Sequence, residues 1–352
     1  MRNILVGVVI GAMLIVAGAF FKPAFLKRIS SASVVSPIGK VLEKPLEKYT
    51  INALSGRKFS GSDIVLDDAL ATESAYTVYA FHYISDGPTS SGGLRGAGRK
   101  VTGVAHLPAG RQVFQGGKSE KFPVIVQFRG YVDREKYVPG EGTKRSAEVF
   151  ARNGFISLAP DFLGYGGSDM PSGDIFEERF QTYTAALNLL ASVHTLPMAD
   201  ADRVGIWGHS NGGHIALTVL EILHRSVPAV LWAPVSKPFP YSILYYTDEA
   251  DDHGKLLRLA LSTFEKDYDT ELYSLTRYLD RIVGPLQLHQ GSADEAVPQR
   301  WSDELAKRLE PTVHDMKYYV YPGADHNMAG PPAGAWNTVV ARDVAFFTVH
   351  LK

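Results

Sequence analysis

From residue 122 onward the chain alternates short apolar runs with longer stretches of helical periodicity, and few folds accommodate that rhythm. The runs are PVIVQF (123–128), FISLAP (155–160), RVGIW (203–207), AVLWA (229–233), PLQLHQ (285–290) and MKYYVY (316–321). PVIVQF is apolar almost throughout, as a strand covered on both faces must be. Helical patterns such as FEERFQTYTAALNLLASV (176–193) and QRWSDELAKRLE (299–310) separate most of the runs. This alternation predicts an α/β architecture, a mostly parallel, doubly wound sheet with helices on both faces. One interval is too long for a crossover: residues 235–283, rich in aromatics and charge, read as a small helical insertion, a cap over the carboxyl end of the sheet.

Within this rhythm GHSNGG (208–213) falls where the run DRVGIW ends and the helical HIALTVLEIL begins. Gly208-His209-Ser210-Asn211-Gly212 is a G-x-S-x-G pattern in a strand-to-helix context, which makes Ser210 the candidate nucleophile. The turn has to be tight enough to strain the serine backbone, and Gly208 and Gly212 leave room where a Cβ would strike a neighbouring element. A serine hydroxyl needs a base at neutral pH. The expected order is nucleophile, acid, histidine, and two loops that follow predicted strands satisfy it. GSADEAVP (291–298) offers Asp294, and ADHNM (324–328) offers His326. His326 is expected to take the serine proton while Asp294 fixes the tautomer of the ring. Glu295 is a rival acid, Asp325 lies too close in sequence to His326 to orient it, and His209, His214 and His289 read as packed, hydrogen-bonded histidines. The oxyanion hole is assigned to the backbone N–H groups of Asn211 and of Tyr131, which follows PVIVQF in the sequence Arg129-Gly130-Tyr131.

Four motifs carry a family resemblance: GHSNGG around Ser210, DFLGYGGSD (161–169), LHQGSADEAVP (288–298) and GADHN (323–327). Over residues 122–352 the chain resembles the α/β-hydrolases, and more narrowly the catalytic domain of the prolyl oligopeptidase family with its dipeptidyl- and acylaminoacyl-peptidase relatives. The resemblance implies an α/β-hydrolase fold and a serine-type peptidase acting through an acyl-enzyme, with a carboxylesterase as the alternative. A non-catalytic binding protein on the same fold is the remaining reading. The chain departs from the family in having Arg129-Gly130 where many members have His-Gly. It also offers only about 75 residues between the linker and Phe122, too few for the family's β-propeller.

Composition excludes other chemistry. Thirty-six basic and 37 acidic side chains give a net charge of −1, with no field to draw nucleic acid. The absence of cysteine removes thiol nucleophiles, disulfides and Cys-type zinc sites. There is no H-E-x-x-H spacing, so no metal and no cofactor is expected. GGKS (116–119) resembles a phosphate loop but has Gln112 where the first glycine is required, and it precedes a strand instead of following one.

The N-terminus reads differently. ILVGVVIGAMLIVAGAFF (4–21) carries no charge and is long enough to span a bilayer, so residues 1–29 are expected to anchor the protein, with the enzyme outside the cytoplasm. Ala17-Gly18-Ala19 satisfies a cleavage pattern, which leaves secretion after signal cleavage as the alternative. Residues 30–49 read as a linker, and residues 50–121 as a strand-rich part of the hydrolase domain that runs to residue 352. The expected partners are a peptide or ester substrate and, through the N-terminal segment, a membrane.

Overall fold

A computed structural model of the chain describes residues 44–86, 98–110, 121–247, 252–330 and 335–352. The apolar segment 4–21, most of the linker 30–49, the phosphate-loop-like 116–119 and most of the acidic run 248–252 lie outside the described residues. Among the described residues no helix is long and apolar enough to cross a membrane, and no group of three histidine or carboxylate side chains is placed to hold a metal ion.

The strands are β1 (Val65–Thr72), β2 (Tyr76–Ser85), β3 (Arg99–Pro108), β4 (Phe122–Phe128), β5 (Ile156–Pro160), β6 (Ala199–His209), β7 (Ala229–Trp232), β8 (Leu286–Gly291) and β9 (Met316–Tyr321). They form one sheet in the order β1-β2-β3-β5-β4-β6-β7-β8-β9. The first three strands are an antiparallel meander that joins β5 antiparallel, and every pair from β5 to β9 is parallel. The strand-rich region before Phe122 is therefore built into the sheet itself. From β4 the chain steps to β5 on one side and then crosses to β6 on the other. Such a reversal, at the carboxyl ends of β4 and β6, is where an open α/β sheet places its ligand site.

The helices are α1 (Ile51–Ser55), α2 (Lys144–Arg152), α3 (Ile175–Ser192), α4 (Asn211–Leu223), α5 (Tyr241–Leu244), α6 (Lys255–Asp267), α7 (Gln299–Leu309) and α8 (Ala335–Leu351). One face of the sheet carries α3 and α4, packed on each other. The opposite face carries α2 and α8, whose Phe150 and Phe347 rings meet edge-on at 5.7 Å. The helices α2 and α8 and the exposed strand β1 have no counterpart in the sequence reading.

Two compact units result. Residues 54–236 and 278–352 contain the sheet, and residues 44–53 with 237–277 form the smaller unit. The end of the expected linker is thus folded: Leu46 and Tyr49 are buried, and the Leu46 N–H donates to the Tyr268 hydroxyl at 3.3 Å. Phe239, Phe264, Tyr268 and Tyr273 cluster in this unit, with ring centroids as close as 4.8 Å between Phe264 and Tyr268. Phe239 therefore belongs to the unit's own core.

Beneath β6, β7 and β8 a carboxylate ties α8 to the sheet. Asp343 is fully buried, and its Oδ2 accepts the indole N–H of Trp207 at 3.3 Å and of Trp232 at 2.9 Å. Its Oδ1 accepts the Gln287 amide at 3.0 Å and pairs with His289 Nε2 at 2.9 Å. The other His289 nitrogen meets the Tyr321 hydroxyl at 2.8 Å, which in turn accepts from Arg342 at 2.9 Å. With Nε2–H on the carboxylate, Nδ1 accepts from Tyr321, so every member of this chain has a partner. Truncating the carboxylate strands several buried donors at once, each at about 1–3 kcal/mol. Asp343→Ala is expected to lower the unfolding free energy by at least ~3 kcal/mol in chemical denaturation, and a loss under 1 kcal/mol would contradict this account of the core.

Candidate active site

The parallel pairing of β4 with β6 brings Phe128 opposite Gly208 and sets the two strand ends side by side. The chain then turns at once into α4, and the crossing is so close that side chains are excluded. A Cβ at Gly212 would lie 1.9 Å from the Phe128 carbonyl oxygen, and one at Gly208 would lie 2.5 Å from the carbonyl oxygen of Gly212. Between them Ser210 adopts φ 57° and ψ −119°, a conformation that costs about 1–3 kcal/mol for a residue with a side chain. Backbone bonds hold it there. The Ser210 N–H donates to the Trp232 carbonyl at 2.9 Å, and the Ser210 carbonyl accepts from Val235 at 3.0 Å and His214 at 3.2 Å.

Asp294 lies in the loop after β8 with its carboxylate shielded from solvent. Oδ1 accepts the N–H groups of Ala296 at 2.9 Å and Val297 at 2.8 Å. Oδ2 accepts from the Gln290 amide at 3.0 Å and from His326 Nδ1 at 2.8 Å. Four donors thus fix the acid, and its bond to Nδ1 leaves Nε2 of His326 as the unprotonated nitrogen. Glu295, the rival acid, is exposed. Asp325 accepts the N–H groups of Asn327 and Ala329, both at 2.9 Å, and so shapes the histidine loop without touching the ring.

A second histidine couples this loop to the serine turn. His209 Nε2 donates to the His326 carbonyl at 2.9 Å, and the two rings lie 4.6 Å apart. Because His209 immediately precedes Ser210, the loop that carries His326 is tied to the residue next to the serine. Among the described residues neither Ser210 Oγ nor His326 Nε2 makes a hydrogen bond with the protein. In a ligand-free site such contacts commonly tighten only around substrate.

Gly130 stands on the other side of the serine, where a Cβ would come within 3.3 Å of Ser210 Cβ. Its carbonyl accepts from Arg129 Nη1 at 3.0 Å. Across a trans peptide the C=O and N–H point in opposite directions, so the N–H of Tyr131 is turned away from Arg129. Arg129 itself is buried between the rings of Tyr137 and Tyr165, 4.4 and 4.1 Å from their centroids, and its Nη2 donates to the Asp161 carbonyl at 3.1 Å. The Asp161 carboxylate accepts from Thr102 and Tyr137, both at 2.5 Å, and burial raises its pKa. DFLGYGGSD therefore builds the platform under Arg129, a role that the sequence did not suggest. The N–H of Asn211 opens α4, in a first turn whose N–H groups have no intrahelical acceptor.

His214 and His289 are hydrogen-bonded structural residues. His214 bonds through Nδ1 to the Val235 carbonyl at 2.9 Å and through Nε2 to the Tyr183 hydroxyl at 3.1 Å. His289 belongs to the Asp343 cluster.

A model of prolyl oligopeptidase family sequences matches residues 142–352, more than half of the chain. The chain belongs to the prolyl oligopeptidase family. One relative, named as a dipeptidyl aminopeptidase in Schizosaccharomyces pombe, is 27% identical over 215 residues, 60% of this chain and 24% of its own length. The chain therefore spans about a quarter of that relative. Among solved structures, an acetyl xylan esterase from a Thermoanaerobacterium species superposes with TM-score 0.56 at 19% identity, covering 86% of this chain and 94% of that one. A puromycin-hydrolyzing peptidase of Mycobacterium tuberculosis does so with TM-score 0.57 at 19% identity, covering 80% of this chain and 41% of that one. Both are α/β hydrolases in fold, and the sheet described above is that fold.

Burial lowers the pKa of His214 to about 3, with the nearby Arg179 charge adding to the effect. The unfolded chain, with its histidine near the ordinary 6.5, binds the proton more tightly, so this residue's contribution is complete above pH 6.5 and is lost as pH falls toward 3. The stability difference between wild type and His214→Gln is expected to be flat above pH 6.5 and to shrink below it, by up to ~1.4 kcal/mol per pH unit. A difference independent of pH between 4 and 8 would contradict a buried neutral imidazole.

Proposed function

We propose that the chain is a serine hydrolase that works through an acyl-enzyme, with Ser210 as nucleophile, His326 as general base and acid, and Asp294 as the residue that orients the histidine. The observation that carries the reading is the pairing of a strained serine at the β6–α4 junction with an Asp294–His326 dyad whose loop is bonded to His209. In the reaction the Ser210 hydroxyl proton passes to His326 Nε2 as Oγ bonds to the substrate carbonyl carbon. The N–H groups of Asn211 and Tyr131 receive the developing oxyanion, each contributing ~3–4 kcal/mol. The proton then goes to the leaving amine or alcohol, and water repeats the sequence in reverse to free the acid.

We favour a peptidase, as family membership and the dipeptidyl aminopeptidase relative suggest. The carboxylesterase reading rests on the sheet itself: residues 65–72, 76–85 and 99–108 are its strands β1–β3, so among the described residues that part of the chain forms no propeller to screen substrates. The anchoring of residues 1–29 in a membrane, with the enzyme outside the cytoplasm, is a proposal resting on the apolar run 4–21 alone.

Matched p-nitrophenyl esters and peptidyl p-nitroanilides separate the two substrates. Amide turnover within about a hundredfold of ester turnover is expected for the peptidase, and esters cleaved without amide activity would establish the esterase. In either case Asp294→Asn is expected to lower kcat on the order of a thousandfold or more with the fold intact, because an amide in that position favours the wrong tautomer of His326. A loss under tenfold would remove Asp294 from the mechanism.

A further inference from the structure

Helices α3 and α4 both leave the carboxyl end of the sheet and run back along the same face, so they lie parallel. They are pinned together where the Tyr183 hydroxyl meets His214 Nε2 at 3.1 Å, with the two rings stacked at 6.2 Å. One helical turn before Tyr183 stands Arg179, and one turn before His214 stands Ser210. Arg179 is therefore about level with the serine and roughly one interhelical spacing, about 8–10 Å, to its side. A second set of contacts places the same helical turn beside the Tyr131 loop. Arg134 of that loop donates to Glu178, and the charges of both act on the Tyr131 phenol. The turn that carries Arg179 thus neighbours both the segment that carries the Tyr131 N–H and the helix that carries Ser210.

Its guanidinium is unusual in this protein. Nε and Nη2 are both buried and neither has a hydrogen-bond partner, and Arg179 makes no ion pair among the described residues. The nearby arginines each leave a buried Nε without a partner but are committed through their Nη groups, Arg129 to two backbone carbonyls and Arg134 to Glu178. The acids beside Arg179 are engaged as well, Glu177 with the Ser172 hydroxyl at 2.7 Å and Glu178 with Arg134. The two vacant donors are the pair on one edge of the guanidinium, whose parallel N–H groups match the two oxygens of a carboxylate. A charged edge removed from water without an acceptor is costly, and a bound anion relieves that cost.

We propose that Arg179 binds a carboxylate of the substrate, so that the enzyme prefers acyl or leaving groups bearing one close to the scissile bond. The proposal rests on the reading of Ser210 as the nucleophile. The carboxylate can belong to either half of the substrate, and two matched pairs tell them apart. On the acyl side these are the α-methyl esters of N-acetylglutamate and N-acetylglutamine. On the leaving-group side they are 4-acetoxybenzoate and its methyl ester. Wild type is expected to favour the charged member of one pair by at least tenfold in kcat/KM, and Arg179→Met to reduce that ratio to within about threefold of unity. Equal rates within both pairs, or a preference that survives the substitution, would overturn the proposal. Should wild type hydrolyse none of the four, the hydrolase reading has failed, and calorimetric titration with N-acetylglutamate decides the subsite separately. Binding by wild type that Arg179→Met abolishes supports the subsite, and no binding by wild type ends it. If Arg179→Met does not fold, Arg179→Lys serves in its place, since an ammonium keeps the charge but not the two-pronged edge: a charged-to-neutral ratio at least threefold below wild type supports the proposal, and an unchanged ratio overturns it.

Discussion

The carbonyl oxygen of Phe128 lies where a side chain at position 212 would have to go, and that close approach governs the rest of the site. It is possible only because β4 and β6 are parallel neighbours in register at Phe128 and Gly208. Given that register, the chain leaving β6 has almost no length in which to reverse, and Ser210 takes up the strain. The same register brings Gly130 alongside Ser210, so the serine and the proposed second oxyanion donor are positioned by one pairing of strands. A larger residue at 208 or 212 would separate the strand from the helix and disturb both groups together.

Two buried carboxylates divide the work beneath this turn. Asp294 is saturated by four donors, one of which is the His326 ring, so its position is independent of anything that binds. Asp343 is likewise saturated, by two indoles, an amide and an imidazole from three adjacent strands. It fastens α8 to the strands whose carboxyl ends carry Ser210 and Asp294. Arg179 differs from both in being a charged group with an unfilled edge, and the contrast is the reason to look there for substrate.

Much of this was legible in the chain itself. The apolar runs from 123 to 321 each became a strand, and GHSNGG became the tight turn, because short buried strands and glycine-dependent turns leave local marks. Asp294 and His326 were found by their order after predicted strands, and the structure brings them together at 2.8 Å. What stayed hidden depends on contacts distant in sequence. Trp207 and Asp343 are 136 residues apart, and nothing near either announces the other. Arg129 gave no sign that it holds the Gly130 carbonyl, since that needs the rings of Tyr137 and Tyr165 around it. Strand β1 is largely exposed and lacks the apolar alternation that would have revealed it. Residues 44–49 looked like linker because two buried side chains, Leu46 and Tyr49, are too few to make a pattern.

The central claim is that Ser210 is the group that attacks substrate. It is tested most directly by treating the folded chain with an active-site-directed fluorophosphonate and locating the adduct by peptide mass mapping. The account predicts a single adduct per chain, on Ser210, and none after Ser210→Ala in a protein that retains the wild-type circular dichroism spectrum. An adduct on any other residue of the native enzyme, or labelling that persists after Ser210→Ala, would contradict it.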